Sequence, residues 1–286
     1  MWLDDAVSRA KLRAMPRDDV SLSPPHQRAR GRAELVLGPA IRHLYHAAPL
    51  RWLFPEADPG DPRLGALVNV AGGLAGGDSL EVSLWLEAGA RFTATTPAAE
   101  KIYRSIGPGT RIRSEIGVAS GATLEWLPQE SILFDGARLD RRIDVALEAG
   151  ARLLAVETLV LGRAARGEVF ARGSVLDRWR VRRDGRLIWA DALRLDDPAA
   201  ARSDRFALGG AGALATILLA APDAATHRER LRELAAGGAS LVAPGLLVAR
   251  LVGEAGAVRN AAGAALTAIR AAAFGHPARL PRLWRT

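Results

Sequence analysis

Downstream of Gly31 the chain is a succession of short apolar runs punctuated by glycine and proline. Three segments nearly repeat one another: LEVSLWLEAGARFTATTP (80–97), IRSEIGVASGATLEWLP (112–128) and IDVALEAGARLLAVETL (143–159). Each has a strand-like run, a Gly-Ala pair (89–90, 121–122, 150–151) and a second strand-like run. Val82, Leu84 and Leu86 recur at every second position, as do Phe92, Ala94 and Thr96, and a period of two marks β-strands. The Gly-Ala pairs fall 32 and 29 residues apart. Each unit therefore reads as two strands joined by a short turn, and three in series predict a stacked, solenoid-like β structure. A sandwich with three similar hairpins fits the same spacing, but the recurrence favours stacking. The segment SVLDRWRVRRDGRLIWADALRL (174–195) adds two strands, with Asp184-Gly185 as a two-residue hairpin turn.

The pattern changes over the last part of the chain. ALATILLA (213–220) predicts a strand. Asp223 is placed to N-cap a helix running to about Ala236, with Leu231 and Leu234 inward and Gly237 as the stop. SLVAPGLLVARLV (240–252) reads as a strand pair broken at Pro244-Gly245. A second helix is predicted from Ala255 to Phe274, with Val258, Ala262, Ala265, Ile269 and Ala272 on one face, ended by Gly275 and Pro277. The predicted class is β-rich (α+β): a stacked helical β-strand (solenoid-like) body over about 30–200, then an α+β part over about 206–286 carrying two late α-helices. Residues 30–286 form one domain in this reading. Residues 1–29 are polar and basic, with Pro16, Pro24 and Pro25, and predict a flexible arm.

Composition adds limits. The 286 residues are 49% hydrophobic and 24% charged, enough for a substantial core. Net charge is +8, and Lys11 and Lys101 are the two lysines, so arginine supplies the positive charge. That balance permits nucleic acid, a membrane surface or an acidic protein as partner. Acidic residues are interspersed with the arginines and aromatics are few, so the basic-plus-aromatic footprint of a nucleic-acid binder is absent. The longest nearly uncharged stretch, 206–222, is too short and glycine-broken to span a membrane. With no cysteine, disulfides, zinc-thiolate sites and thiol catalysis are excluded. No basic-then-apolar signal opens the chain, and a cytoplasmic location is expected.

The stretch VNVAGGLAGGDSLEVSLWL (68–86) invites chemistry. Its glycines, Gly72, Gly73, Gly76 and Gly77, do not match a dinucleotide fingerprint. Asp78 stands where a Walker loop needs Lys, and a strand rather than a helix follows. The glycines read as turn residues that let backbone approach closely at a strand start. Gly77-Asp78-Ser79-Leu80 also spells the nucleophile block of a serine-hydrolase family, so a serine esterase using Ser79 is the alternative function. That family's Asp-x-x-His partner is missing: Asp223 lies four positions before His227, and Ala273 three before His276. His43 and His46 fall on opposite faces of an extended segment, which disfavours a shared metal. Lys101, Tyr103 and Arg104 follow a turn at Pro97, either as a contact patch for an acidic partner or as a solvated edge with Tyr103 packed inward.

Five motifs in fixed order carry a family resemblance: NVAGGLAGGD (69–78), TTPAAEKIYRS (95–105), LEWLPQESILF (124–134), LVLGRAARGEVF (159–170) and the closing LPRLWRT (280–286). Together they resemble the UreD family of urease accessory proteins, called UreH in some systems, over roughly residues 30–286. The resemblance implies a maturation chaperone with no catalysis of its own. Such proteins bind apo-urease and recruit a second accessory protein of the UreF type and a nickel-carrying GTPase of the UreG type. The assembly delivers nickel to the buried urease site, by a route proposed to run inside the protein. It also implies a helical stack of strands, nickel in transit and no tightly bound cofactor. Carried over by position, the acidic residues implicated in nickel transfer are Asp78, Glu157 and Glu168. Weak, exchangeable carboxylate ligands suit passage of a borderline cation better than a tight cage. Structural roles stand beside this: Asp78 capping a turn, and Glu157 and Glu168 pairing with Arg163 or Arg166.

Overall fold

The computed structural model describes residues 28–285, so the arm predicted over 1–29 lies outside the described residues except for Arg28 and Ala29. The strands, in chain order, are β1 (Arg30–Leu37), β2 (Ile41–Ala47), β3 (Leu50–Leu53), β4 (Arg63–Asn69), β5 (Ser79–Leu86), β6 (Arg91–Thr95), β7 (Glu100–Ile102), β8 (Thr110–Val118), β9 (Thr123–Leu127), β10 (Ser131–Leu133), β11 (Arg138–Leu147), β12 (Arg152–Leu161), β13 (Ser174–Arg183), β14 (Arg186–Leu195), β15 (Ala213–Ala220), β16 (Ala239–Ala243) and β17 (Leu246–Gly253). The helices are α1 (Pro198–Ser203), α2 (Arg228–Leu234) and α3 (Ala255–Phe274).

From β4 to β13 the chain alternates between two sheets. The first has the order β14-β13-β11-β8-β5-β1-β2, and the second β16-β17-β15-β12-β9-β6-β4-β3, with β10 paired to β12 and β7 paired to β10. Within the coil, neighbours are parallel: β5 with β8, β8 with β11, β11 with β13 in one sheet; β4 with β6, β6 with β9, β9 with β12 in the other. This is the stacked arrangement that the repeats predict, and not a sandwich of hairpins. Each Gly-Ala pair is the corner where the chain leaves one sheet for the other. Gly89, Gly121 and Gly150 have φ of 71°, 68° and 75°, the left-handed region that only glycine enters freely. The next residue closes each turn: Ala90, Ala122 and Ala151 donate to the carbonyls of Glu87, Ala119 and Glu148.

The pleat sends alternate residues of β5, β8, β11 and β13 toward the second sheet. Leu84, Ile116, Val145 and Val181 form one inward row, and Leu86, Val118 and Leu147 the next. Strand β12 is buried on both faces. Leu153, Ala155 and Leu159 meet the first sheet's core, while Leu154 and Val156 join the layer under α3. A strand covered twice reads as the near-continuous apolar run RLLAVETLVL.

The C-terminal part follows its prediction in outline, with corrections in detail. A short helix, α1, precedes it, N-capped by Asp197 with Pro198 at its first position. Asp223 does not cap a helix with its side chain. It pairs with Arg152 at 2.9 Å, a 3₁₀ turn (Ala224–His227) intervenes, and α2 ends at Leu234 rather than Ala236. On α3, Ala273 rather than Ala272 faces inward, because 3.6 residues per turn brings position 273 under Ile269. Leu231 is buried as expected, but Leu234 only partly. Glu254 caps α3, accepting from the Ala257 N–H, and Gly275 ends it in the left-handed region. Asp184-Gly185 turns the β13–β14 hairpin with both φ positive, as an Asp-Gly type I′ turn requires. Among the described residues no helix is long and apolar enough to cross a membrane.

Candidate functional site

One inward row between the sheets is not apolar. Register aligns Leu80, Ile112, Arg141 and Asp177 across four parallel strands. Arg141 is only 3% exposed. Its Nε and Nη2 donate to Asp177 Oδ1 and Oδ2 at 2.9 and 2.8 Å, a two-pronged contact within the sheet. Its Nη1 reaches across to the Glu157 carboxylate on β12 and lies 3.3 Å from Ser131 Oγ. The Trp126 indole N–H donates to the other Glu157 oxygen at 3.0 Å. Burial pushes the Glu157 carboxyl up from the usual range, against the pull of Arg141 and Trp126. Burial would lower the Arg141 pKa, but Asp177 and Glu157 outweigh it and raise it, so the guanidinium stays charged.

Beside this row lies a cavity of ≈ 80 Å³ between the two sheets. Glu157, Arg141, Ser131 and Ser114 line it, and Glu100 and Asn69 stand at its wall with the apolar Leu80, Ile112 and Trp126. The Asn69 amide donates to both Glu100 oxygens at 3.1 and 3.0 Å. Burial raises the Glu100 pKa, with those hydrogen bonds opposing it. The cavity wall thus carries carboxylates from β7 and β12 with a single arginine near them.

Asp78 and Glu168 do not face this cavity. The loop before β5, the segment 101–105, the turn at 133–137 and the loop 162–172 pile on one another along one flank. Leu74 N–H donates to Lys101 O, Ser105 to Gly136 O, and Gly136 to Arg172 O. In this ladder of turns Asp78 is buried, accepting from Ala29 N–H at 2.8 Å and Ala75 N–H at 2.7 Å. Gly73 and Gly77 have φ of 148° and 91°, and a Cβ on Gly73 would sit 2.6 Å from the Tyr103 ring. Tyr103 itself donates to Gly72 O at 2.9 Å and stacks edge-on against Phe134. Lys101 and Arg104 are exposed on the same ladder. Glu168 pairs with Arg163 and accepts from Asp135 N–H, contacts that hold its carboxyl below the ordinary range. Glu157 pairs with Arg141, not with Arg163 or Arg166. Ser79 opens β5, and among the described residues no hydrogen bond joins its hydroxyl to a histidine.

The LEWLPQE segment is a junction. Glu125 on β9 accepts from Arg270 of α3 and meets His276 Nδ1 at 2.8 Å. Its pKa is lowered: burial alone would raise it, but His276 and Arg270 outweigh that. Gln129 donates to Leu283 O at 2.7 Å, Glu130 pairs with Arg259, and the Trp284 indole N–H donates to Leu127 O at 2.9 Å. The segment therefore ties the coil to α3 and to the closing LPRLWRT.

Arg141, Asp177, Glu100 and Glu125 are not among the residues singled out from sequence. A signal existed for the first two: Leu139, Arg141, Ile143, Val145 and Leu147 alternate, as do Val175, Asp177, Trp179 and Val181, so each charge occupies an inward position. Chemically, the cavity offers oxygen ligands without a cage. No group of three or more His, Cys, Asp or Glu side chains among the described residues is arranged to hold a metal ion.

Comparison with known proteins agrees with the motifs. The signature of the family described as UreD urease accessory protein matches residues 29–285. The urease accessory protein UreD of Granulibacter bethesdensis is 51% identical over 237 residues, covering 81% of this chain and 99% of that protein. Its counterpart in Methylobacterium sp. strain 4-46 is 45% identical over 280 residues, covering 92% and 97%. That of Magnetococcus marinus is 42% identical over 255 residues, covering 85% and 88%.

Proposed function

We propose, on the premise that the chain belongs to the UreD family of urease accessory proteins, that it is a scaffold for nickel insertion. In this reading it binds apo-urease together with a UreF-type accessory protein and a nickel-carrying GTPase of the UreG type. The inter-sheet cavity is a waypoint for the ion, which is cargo and not a resident cofactor. The observation that carries the reading is the cavity wall, where Glu100 and Glu157 face a shared space, and among the described residues no group of three or more His, Cys, Asp or Glu is arranged to hold a metal ion. Nickel accepts carboxylate and water oxygens, and a route must release what it binds. Asp78 and Glu168 belong to the flanking ladder of turns, and we assign them to the margin of the route. The exposed Lys101 and Arg104 beside Tyr103 form a contact patch for an acidic partner surface.

Two measurements test this. In a host that makes urease but lacks this chain, urease should accumulate with little nickel when nickel is limiting. Full metallation there would remove the proposed role. The chain should also co-purify with urease subunits and both accessory partners. A Ser79-dependent hydrolysis of p-nitrophenyl esters would instead revive the esterase alternative.

A further inference from the structure

At the cavity wall the Arg141 guanidinium and the Glu157 carboxylate meet a second carboxylate, Asp177, which stands outside the lining. The guanidinium fills the space between Asp177 on the first sheet and Glu157 on the second, and uses three of its nitrogens to do so. This is where a cation bridging the two sheets would sit. On the next inward rung Ser114, 5% exposed, faces the same cavity, and among the described residues its hydroxyl makes no hydrogen bond. An oxygen ligand is thus unclaimed beside carboxylates already occupied by arginine.

We infer that Arg141 sets the cation affinity of the cavity, acting as a fixed counter-ion that keeps Glu157 and Asp177 from closing on a passing divalent ion. The inference rests on the nickel-transit reading for its biological sense. Its physical basis is independent of that reading. Two carboxylates buried without a partner are costly, and a proton or a metal ion relieves the cost. With the guanidinium in place, an arriving ion meets carboxylates that are largely neutralised, so it binds weakly and leaves. Without it, Glu157, Asp177, Ser114 and Ser131 offer oxygens to a cation. Lysine lacks the planar fork that engages both Asp177 oxygens but keeps the positive charge, so by the counter-ion argument an Arg141→Lys chain should remain close to the parent.

The test uses the full-length chain, titrated with nickel chloride by equilibrium dialysis at neutral pH. The parent is compared with Arg141→Met, Arg141→Gln, Arg141→Lys and the double variant Arg141→Met/Glu157→Gln. Arg141→Gln retains donors for Asp177 and provides a folded variant should the methionine destabilise the interior. Circular dichroism and melting establish which are folded. Removing the guanidinium is expected to tighten nickel binding about tenfold or more, since the ion then meets carboxylates that no fixed positive charge neutralises. The double variant should return toward the parent. Nickel should quench Trp126 emission in Arg141→Gln, and a Trp126→Phe background should lose that quenching. A folded Arg141→Gln or Arg141→Met that binds nickel no more tightly than the parent overturns the inference. Urease activation is read separately. A variant that holds nickel yet activates urease normally leaves the role of Arg141 standing and removes the transit reading.

Discussion

Arg270 Nε lies 2.8 Å from Glu125 Oε1, joining α3 to β9 across 145 residues of sequence, with both side chains wholly buried. Asp61 accepts from the same guanidinium at 3.0 Å, and His276 completes the cluster. The contact fastens the helical layer to the coil. Breaking one partner of a buried pair leaves a charge unmatched, so Glu125→Gln should cost about 3 kcal/mol at neutral pH in urea unfolding. The Glu125 carboxyl is held below its ordinary value, so its contribution is fully present above pH ~4.3 and disappears as pH falls through the lowered value. The gap between parent and Glu125→Gln should narrow as pH falls below about 4.3 and close below the lowered folded value. A gap that is constant from pH 6 to pH 3 would contradict the assignment.

Glu100 has the opposite sign. Its folded pKa is raised by burial, so the folded state holds the proton more tightly than the unfolded chain does. Stability from this group is greatest below pH ~4.3 and falls as pH rises through the elevated folded value. Glu100→Gln removes the charge and keeps an oxygen to accept from Asn69. A melting point about 2 °C higher at neutral pH is expected, with no difference at pH 4. A lower melting point at pH 7 would show that the ionised form is the stabilised one.

The glycine loop separates space from backbone conformation. Gly72 has φ of 73°, and a Cβ added there would meet nothing within 4 Å, whereas at Gly73 a Cβ would meet the Tyr103 ring. Gly72→Ala should cost about 1 kcal/mol and Gly73→Ala about 2–3 kcal/mol. Equal losses would argue against close packing of Tyr103 on the loop. Tyr103→Ala should narrow the difference.

Asp78 and Glu168 should fail differently. Asp78→Ala takes the acceptor from two backbone N–H groups, a loss of about 2 kcal/mol. Its proposed part in transit would appear as reduced urease activation beyond what lowered stability and assembly account for. Glu168→Ala frees Arg163 and should leave assembly intact while lowering activation. If both variants activate urease normally at limiting nickel, the margin of the route does not include them.

The stacked coil is legible in the sequence because one turn of it is nearly constant in length. Residues 31 or 32 apart meet repeatedly: Asn69 with Glu100, Thr93 with Glu125, Trp126 with Glu157, Tyr103 with Gly72. The Gly-Ala corners recur at about that interval, and each needs the left-handed conformation that glycine supplies. Glu157 is reached from the sequence only by carrying a position over from the family resemblance. Its partner Arg141 is not legible, since the two stand on strands of different sheets and meet only once the stacking is known. Local rules also mislead at Asp223, which suits an N-cap until Arg152 claims its carboxylate. In each of these cases the side chain takes its role from a neighbouring coil or a distant strand rather than from nearby sequence.

The proposed route takes nickel past the carboxylates of the inter-sheet cavity. Its most direct measurement is the nickel content of urease purified from cells supplied with limiting nickel and carrying the Glu100→Gln/Glu157→Gln chain, alongside the amount of that chain recovered with urease and its partners. The complex should assemble as with the parent while urease nickel falls about fivefold or more, because neutral amides are poor ligands for a divalent ion. Urease loaded with nickel to the parental level by a chain lacking both carboxylates would contradict the claim.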